Sequence, residues 1–375
     1  VQTCALPISR ASIRTLHKIS TYSSSCLPRI SSFETHFSSA SDDLRPTQYP
    51  FIGICSNATQ KLKLEEFVAK HWKRNYPQAV PSVMTLEEYM DNPPIVNTPA
   101  DEPPLNLDNY FHHLHSKYMG RTILYGHELT STQTILMDNF RDYQSGLVCI
   151  ADKQIAGRGR STNKWVSPYG CLMFSFKTYI THPRDLPMLQ YLTTLVMCNS
   201  LEDIYNTGDM DIAIKWPNDI YYHGDKKVGG IICQSYFNGR VYDVTIGIGI
   251  NISNKKPTTC MDEIASNLQK KQIVLGRSTV LASFCNQFTE AIHTFRLYGF
   301  EPFMKDYLDN WMHSDEEVTV VCDGDESIKK KAIIRGINST SGMLEAETMD
   351  GELLELYPDT HSLNLMDKLI YRKKN

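Results

Sequence analysis

Two arginines separated by one residue and paired with glycines, Gly157-Arg158-Gly159-Arg160, form the most chemically loaded stretch of the chain. Glycine lets a backbone approach a ligand closely. Fixed guanidinium groups match phosphate and carboxylate oxygens. A loop of this type can stand open when empty and fold over a ligand. Trp165, just beyond, offers a flat apolar face suited to stacking. A solvated basic turn would carry the same residues. In Lys215-Trp216-Pro217-Asn218-Asp219, a strand carrying Ile212 and Ile214 runs into a proline that ends regular pairing. Asn218 and Asp219 are then held at a strand end, within reach of a base or sugar edge, or simply form an Asn-Asp turn. In Lys227-Val228-Gly229-Gly230 a lysine beside small residues can reach a buried anion from a strand edge, or stand as an ordinary surface hairpin lysine. In Gly247-Ile248-Gly249-Ile250-Asn251 the glycines share one face of a strand. They make either a floor for a flat ligand or a close helix–strand contact.

These motifs need strands and helices to hold them. Tyr49 to Cys55 reads as a strand and Leu62 to Trp72 as a helix, with Leu62, Leu64, Phe67, Val68 and Trp72 at helical spacing. Asn75 to Ser116 has no Lys or Arg and holds seven prolines, which predicts a linker or loose surface segment. Regular structure becomes dense from about Tyr118. Leu147–Gln154 and Leu172–Ile180 read as strands, and Leu186–Tyr205 as a helix. Asp211 to Ser253 reads as consecutive strands cut by turns at His223-Gly224-Asp225 and Asn238-Gly239. Val280 to Trp311 is helical in pattern. Glu317 to Leu365 reads as short strands with turns at Asp323-Gly324 and Asp350-Gly351.

The chain has 375 residues, enough for two domains and a tail, and 41% are hydrophobic. A net charge of -4 gives no global signal for a nucleic-acid partner, and direct nucleic-acid binding is not expected. Ten cysteines include no C-x-x-C pair, which argues for free thiols rather than a zinc or redox motif. No apolar run approaches the roughly 18–20 residues of a membrane span. Residues 1–8 resemble a translated sequencing adapter and are set aside. Ser9 to Phe33 lacks Asp and Glu and interleaves Arg10, Arg14, Lys18 and Arg29 with serines, a composition that suits a mitochondrial transit peptide or a Ser-rich linker.

Together, in this order and spacing, the four motifs resemble the signature of biotin–protein ligases, called holocarboxylase synthetases in eukaryotes. Ser131-Thr132-Gln133 resembles the Ser-Thr-Asn/Gln element of that family, with Gln where Asn is common. The resemblance runs from about Tyr118 to the C-terminus. Arg335–Leu365 is similar to the family's small C-terminal β-barrel, and Trp311-Met312-His313-Ser314 and Pro358-Asp359 resemble its eukaryotic branch. No helix-turn-helix pattern like that of the bacterial ligase-repressors is visible ahead of Tyr118.

The resemblance implies an α+β fold: a mixed β-sheet with flanking helices, like class II aminoacyl-tRNA synthetases, plus a small C-terminal all-β barrel. It divides the chain into a Ser-rich basic segment (1–48), an extension with an acidic Pro-rich linker (49–117), a catalytic domain (118–314) and a C-terminal β domain (315–375). It implies ATP and biotin as substrates, Mg2+ on the triphosphate, biotinyl-5′-AMP as intermediate, and a lysine of a carboxylase biotin-carrier domain as acceptor, in the cytoplasm, the mitochondrion or both. By match to the family, Ser131, Thr132, Gln133 and Gln154 serve biotin's ring, and Gly247 and Gly249 form its floor. Arg158, Gly159 and Arg160 wrap the carboxylate and phosphate. Lys227 bridges the two reacting anions and, with Arg158 and Arg160, is catalytic. Trp165, Lys215, Asn218, Asp219 and Asn251 hold ATP or the adenylate. A lipoate or octanoate ligase or transferase of the same fold is the nearest alternative. A catalytically silent binding protein is the other, and it would be expected to have lost Lys227 or the arginine loop.

Overall fold

The computed structural model describes residues 50–372, except 74, 75, 77, 95–97, 99–102, 208, 209, 255 and 322–327. All of these belong to one compact unit, Leu44–Asn375. The segment 1–48 and the turn at Asp323-Gly324 lie outside the described residues.

The order begins β1 (Phe51–Cys55), α1 (Ala58–His71), β2 (Ser82–Thr85), α2 (Leu86–Asp91), α3 (Leu107–His113), β3 (Thr122–Leu129), α4 (Thr132–Asn139), β4 (Leu147–Gln154) and β5 (Cys171–Ile180). It continues α5 (Leu186–Tyr205), β6 (Ile212–Lys215), β7 (Asp219–Tyr222), β8 (Lys226–Phe237), β9 (Tyr242–Asn251), α6 (Met261–Gln269), α7 (Arg277–Tyr298) and α8 (Glu301–Asn310). The C-terminal strands are β10 (Glu317–Val321), β11 (Lys329–Ile337), β12 (Leu344–Thr348), β13 (Leu353–Leu356), β14 (His361–Asn364) and β15 (Leu369–Arg372).

Nine strands form one mixed sheet in the order β2-β1-β3-β4-β5-β9-β8-β7-β6. β1 pairs parallel with β2, and β3 parallel with β4. The other ladders are antiparallel. The pleat sorts residues between the faces. On β1, β3 and β4, Ile52, Ile54, Ile123, Tyr125, Val148 and Ile150 join the main core with residues of α3, α5 and α7. Phe51, Cys55, Leu124, Cys149 and Ala151 face the opposite way, into a second core closed by Leu64 and Val68 of α1 and Ile135 and Leu136 of α4. The last six strands form a separate sheet, β13-β12-β11-β10-β15-β14. Trp311, between α8 and β10, bridges Ile214 of β6, and Gly342, ahead of β12, accepts from Tyr191 of α5. The architecture is α+β with a C-terminal β domain.

Three departures from the sequence reading have physical reasons. The stretch 75–116 is not a loose linker throughout: β2 adds to the large sheet beside β1, a Thr85–Glu88 capping box starts α2, and Leu107 and Tyr110 of α3 are buried. Prolines and a one-sided charge balance mark its turns but hide short elements that tertiary packing stabilises. The extension before Tyr118 also shares the large sheet, because β1 pairs directly with β3. At the C-terminus a further strand, β15, lies beyond Leu365 and pairs with both β10 and β14.

Candidate active site

β9 is the floor of the site. Its isoleucines, Ile246, Ile248 and Ile250, belong to the main core, so Gly247, Gly249 and Asn251 face the other way. A cavity of about 420 Å³ opens on that face. Its lining includes Ser131, Thr132, Gln133, Gln154, Arg158, Gly159, Arg160, Trp165, Asn218, Asp219, Lys227, Gly247, Gly249 and Asn251. These come from β3–α4, β4 and its following loop, β7, β8 and β9, brought together only by the fold. Lys215 is not in the lining; its ammonium lies 5.8 Å from the Tyr221 ring centroid.

The register of β9 gives the cavity two chemically different ends. Gly247 pairs with Ser175 of β5 and Ile232 of β8, while Gly249 pairs with Met173 and Gly230. At the Gly247 end the polar groups are neutral. Thr132 Oγ1 and Ser175 Oγ are 2.8 Å apart, and Gln154 Oε1 accepts from Thr132 N at 2.8 Å and from its hydroxyl at 3.2 Å. A Cβ on Gly247 would stand 2.8 Å from Gln133 Oε1. Ser131 starts α4, accepting weakly from Thr134 N at 3.4 Å. At the Gly249 end the groups are ionic and aromatic. A Cβ on Gly249 would stand 2.6 Å from Trp165 Nε1, so glycine is required for the indole to lie there. Lys227 Nζ donates to Asp219 Oδ1 at 2.8 Å and sits 5.6 Å from the Trp165 ring centroid. The β7–β8 register shifts between Ile220 and Tyr221, beside Lys227. Bulges of this kind re-aim side chains next to active sites.

The arginine loop is a small hairpin rather than an unstructured strap. Gly159 N donates to Asn163 O at 2.8 Å and Trp165 N to Gly157 O at 3.0 Å, and Arg158 bridges Lys164. Arg158 is exposed. Arg160 is half-buried and already engaged, donating to Asn218 Oδ1 at 2.8 Å, to Pro358 O, and more weakly to His361 O at 3.5 Å. Burial pushes its guanidinium below the usual arginine value, and Asp219 and Asp359 pull against that. Burial also lowers Lys215, with Asp219 opposing and Lys227 and Arg160 adding to the effect. Asn218 is held by its own donation to Ile231 O at 2.7 Å, and Asn251 by bonds to Thr258 Oγ1 and Thr259 O.

Two supports of the site escaped the sequence reading. The first is the C-terminal domain, which contributes Ser362 to the lining and the carbonyls that grip Arg160. It also reaches the Lys215–Asp219 turn: Trp216 Nε1 donates to Tyr191 Oη at 2.9 Å, and Tyr191 donates to Gly342 O at 2.7 Å. The second is a buried cluster around Asp152. Its carboxylate accepts from Tyr125, His127 lies 2.8 Å away, and Leu105 N and Arg277 donate at 3.0 and 2.7 Å. His127 Nε2 in turn meets Tyr169 Oη at 2.7 Å, where the chain returns from the arginine loop. An Asp directly after the apolar run Leu147–Ala151, on the same strand, was the available clue, because a buried carboxylate needs partners.

The chain matches the biotin/lipoate A/B protein ligase family over residues 125–251, from within β3 to the end of β9. It is similar to biotin–protein ligase 1, chloroplastic, of Arabidopsis thaliana, with 31% identity over 317 residues covering 84% of this chain and 86% of that protein. Biotin–protein ligase 2 of Arabidopsis thaliana is 32% identical over 277 residues, 73% of this chain and 84% of that one. A solved biotin protein ligase from Aquifex aeolicus, in complex with biotin and ATP, aligns with a TM-score of 0.51 and 26% identity over 65% of this chain and 97% of that one. The chain belongs to the biotin–protein ligase family, enzymes that form a carbon–nitrogen bond.

Proposed function

We propose that this ligase binds biotin and magnesium-ATP in the cavity on β9, forms biotinyl-5′-AMP with release of pyrophosphate, and passes the biotinyl group to a lysine of a carboxylase biotin-carrier domain. The observation that carries this reading is the polarity of the cavity. Its neutral hydrogen-bonding end at Gly247 suits a urea ring, and its cationic end at Gly249 suits a carboxylate meeting a phosphate. Thr132, Gln133 and Gln154, beside Ser131, serve the ring. Gly247 and Gly249 floor it.

In the first step, two anions must approach and charge then builds on phosphate oxygens. Preorganised cations in a site screened from water stabilise that charge. Lys227 neutralises the two reacting groups, and Arg158, Gly159 and Arg160 close over them. Trp165 covers the adenine, Asn218 and Asn251 take its edge, and Lys215 adds positive field from outside the lining. Asp219 is the carboxylate available to magnesium, which is held largely by the phosphates themselves. In the second step the acceptor lysine attacks the mixed anhydride as a free amine, so that the amide forms, the acyl–phosphate bond breaks and AMP leaves. With a pKa near 10.4, only about one in a few thousand such lysines is neutral at pH 7. Asp219 is the lining group able to take its proton once Lys227 moves to the ligand. The location we propose is the cytoplasm, the mitochondrion or both; the acid-free basic composition of Ser9–Phe33 suits a transit peptide and equally a Ser-rich linker. No helix among the described residues is long and apolar enough to cross a membrane.

An ATP–pyrophosphate exchange assay with biotin, lipoate and octanoate tests the reading. Exchange driven by biotin is expected. Exchange driven by lipoate or octanoate in its place would assign the site to the sister activity of the fold.

A further inference from the structure

The β8–β9 ladder stops short of Lys227. Its last pair at that end is Gly229 with Ile250, so Lys227 lies past the reach of β9. The loop after β9 takes over there. Thr258 Oγ1 donates to the backbone carbonyl of Lys227 at 2.6 Å and accepts from Asn251 Nδ2 at 3.1 Å. Asn251 Oδ1 accepts in turn from Asn254 Nδ2 at 2.8 Å. Backbone carbonyls set the direction of every bond in this chain, because a carbonyl can only accept. Lys227 O takes the hydroxyl hydrogen of Thr258, Thr259 O takes a hydrogen of Asn251 Nδ2 at 3.2 Å, and Lys256 O takes one of Asn254 Nδ2 at 3.0 Å. The three side chains therefore donate the same way, from Asn254 through Asn251 and Thr258 to Lys227, and aligned hydrogen bonds strengthen one another. Thr258 lines the cavity and is an exposed residue outside the core.

We propose that Thr258 is a positioning residue for adenylation: its hydroxyl holds the backbone under Lys227 and orients the amide of Asn251, and so sets the spacing between the cation that meets the two reacting anions and the group at the nucleotide's edge. This rests on the biotin and ATP reading of the cavity and adds to it a residue that acts through two others. An ammonium stabilises developing charge fully only when it is already in place as that charge builds on the phosphate. Slack in the backbone at Lys227 therefore lowers turnover even where biotin binds normally.

The experiment uses the full chain with two substitutions. Thr258→Val keeps the shape of the side chain and removes the hydroxyl, and Thr258→Ser keeps the hydroxyl and removes the methyl. Biotin-dependent pyrophosphate exchange gives kcat and the KM for biotin, and thermal melting gives stability. For Thr258→Val, kcat should fall by about two- to tenfold, the effect of one hydrogen bond lost at an exposed position. The KM for biotin and the melting temperature should stay unchanged, the pattern of an interaction that matters in the transition state. Thr258→Ser should turn over like wild type. A valine variant with wild-type kcat overturns the proposal. So does a serine variant as slow as the valine one, because the hydroxyl is then not the working group. A lower melting temperature with kcat unchanged makes Thr258 a support of its loop alone and is equally fatal. If Thr258→Val fails to fold, Thr258→Ala removes the same hydroxyl and is judged by the same criteria. A wild-type chain with no biotin-dependent exchange overturns the function and this assignment together, a result distinct from any variant outcome.

Discussion

Biotinyl-5′-AMP is a reactive mixed anhydride, so a useful ligase holds it until the carrier docks. Arg160→Gly tests how it is held. In the empty site Arg160 joins three segments: its own hairpin, Asn218 at the end of the Lys215–Asp219 turn, and the carbonyls of Pro358 and His361 in the C-terminal domain. Glycine removes all of these contacts and any bond to the phosphate. A hydrogen bond to a charged group is worth about 1.5–3 kcal/mol. Arg160 is only half-buried, which favours the lower part of that range. One such bond lost from the closed state corresponds to an escape rate about one to two orders of magnitude faster. Synthesis should suffer less than retention, because Lys227 is untouched. The assay adds albumin as a bystander to enzyme, biotin and ATP and follows its labelling with streptavidin. The mutant should biotinylate albumin, and an added free amine should suppress it. A folded Arg160→Gly protein with no bystander labelling and normal carrier labelling would refute the closing hairpin.

Other outcomes follow from the same geometry. Lys227→Ala removes the cation paired to Asp219 at 2.8 Å and should cost about 3–4 kcal/mol of transition-state stabilisation in adenylation with the fold intact; near-normal pyrophosphate exchange would take Lys227 out of the mechanism. Removing residues 1–43 should leave stability and exchange unchanged, whereas cutting at Tyr118 should give an insoluble or unfolded chain, because it strips β1 from β3 and Leu107 and Tyr110 from the core; a soluble, active product of the second cut would contradict the sheet order. His313 is fully buried, its Nε2 accepting from Trp216 N at 3.0 Å and its Nδ1 meeting Glu316 at 2.7 Å, and burial lowers its pKa against the pull of Glu316. Its neutral form belongs to the native state, so below an unfolded pKa of about 6.5 the unfolded chain takes up a proton that the native protein refuses. Stability from this group should be full above that pH and fall as pH drops toward the lowered native value. Urea midpoints at about pH 7.5 and about pH 5.5 should therefore converge for His313→Gln relative to wild type; an equal pH response in both would remove His313 from the linkage.

The long, strongly periodic elements are legible in the sequence alone. Leu147–Gln154 and Leu186–Tyr205 form the strand and helix over the residues read from their patterns. The alternation of Gly247 to Asn251 puts isoleucines on one face and small residues on the other, which is how β9 makes a floor. The elements that local patterns miss depend on distant partners. β2 and α3 are short and gain their stability from β1, α7 and the main core. Nothing local to Pro358 or His361 announces that their carbonyls hold an arginine far earlier in the chain. Lys215 groups with the site in sequence because it adjoins Asn218 and Asp219. The strand end turns those two into the lining and leaves the lysine beside Tyr221.

The most direct test of the account is mass spectrometry of a biotin-carrier domain incubated with this protein, biotin and magnesium-ATP. The account predicts a mass increase of one biotinyl group on one lysine of the carrier, dependent on ATP and abolished in Lys227→Ala. A carrier that stays unmodified while the folded protein supports no biotin-dependent pyrophosphate exchange would contradict it.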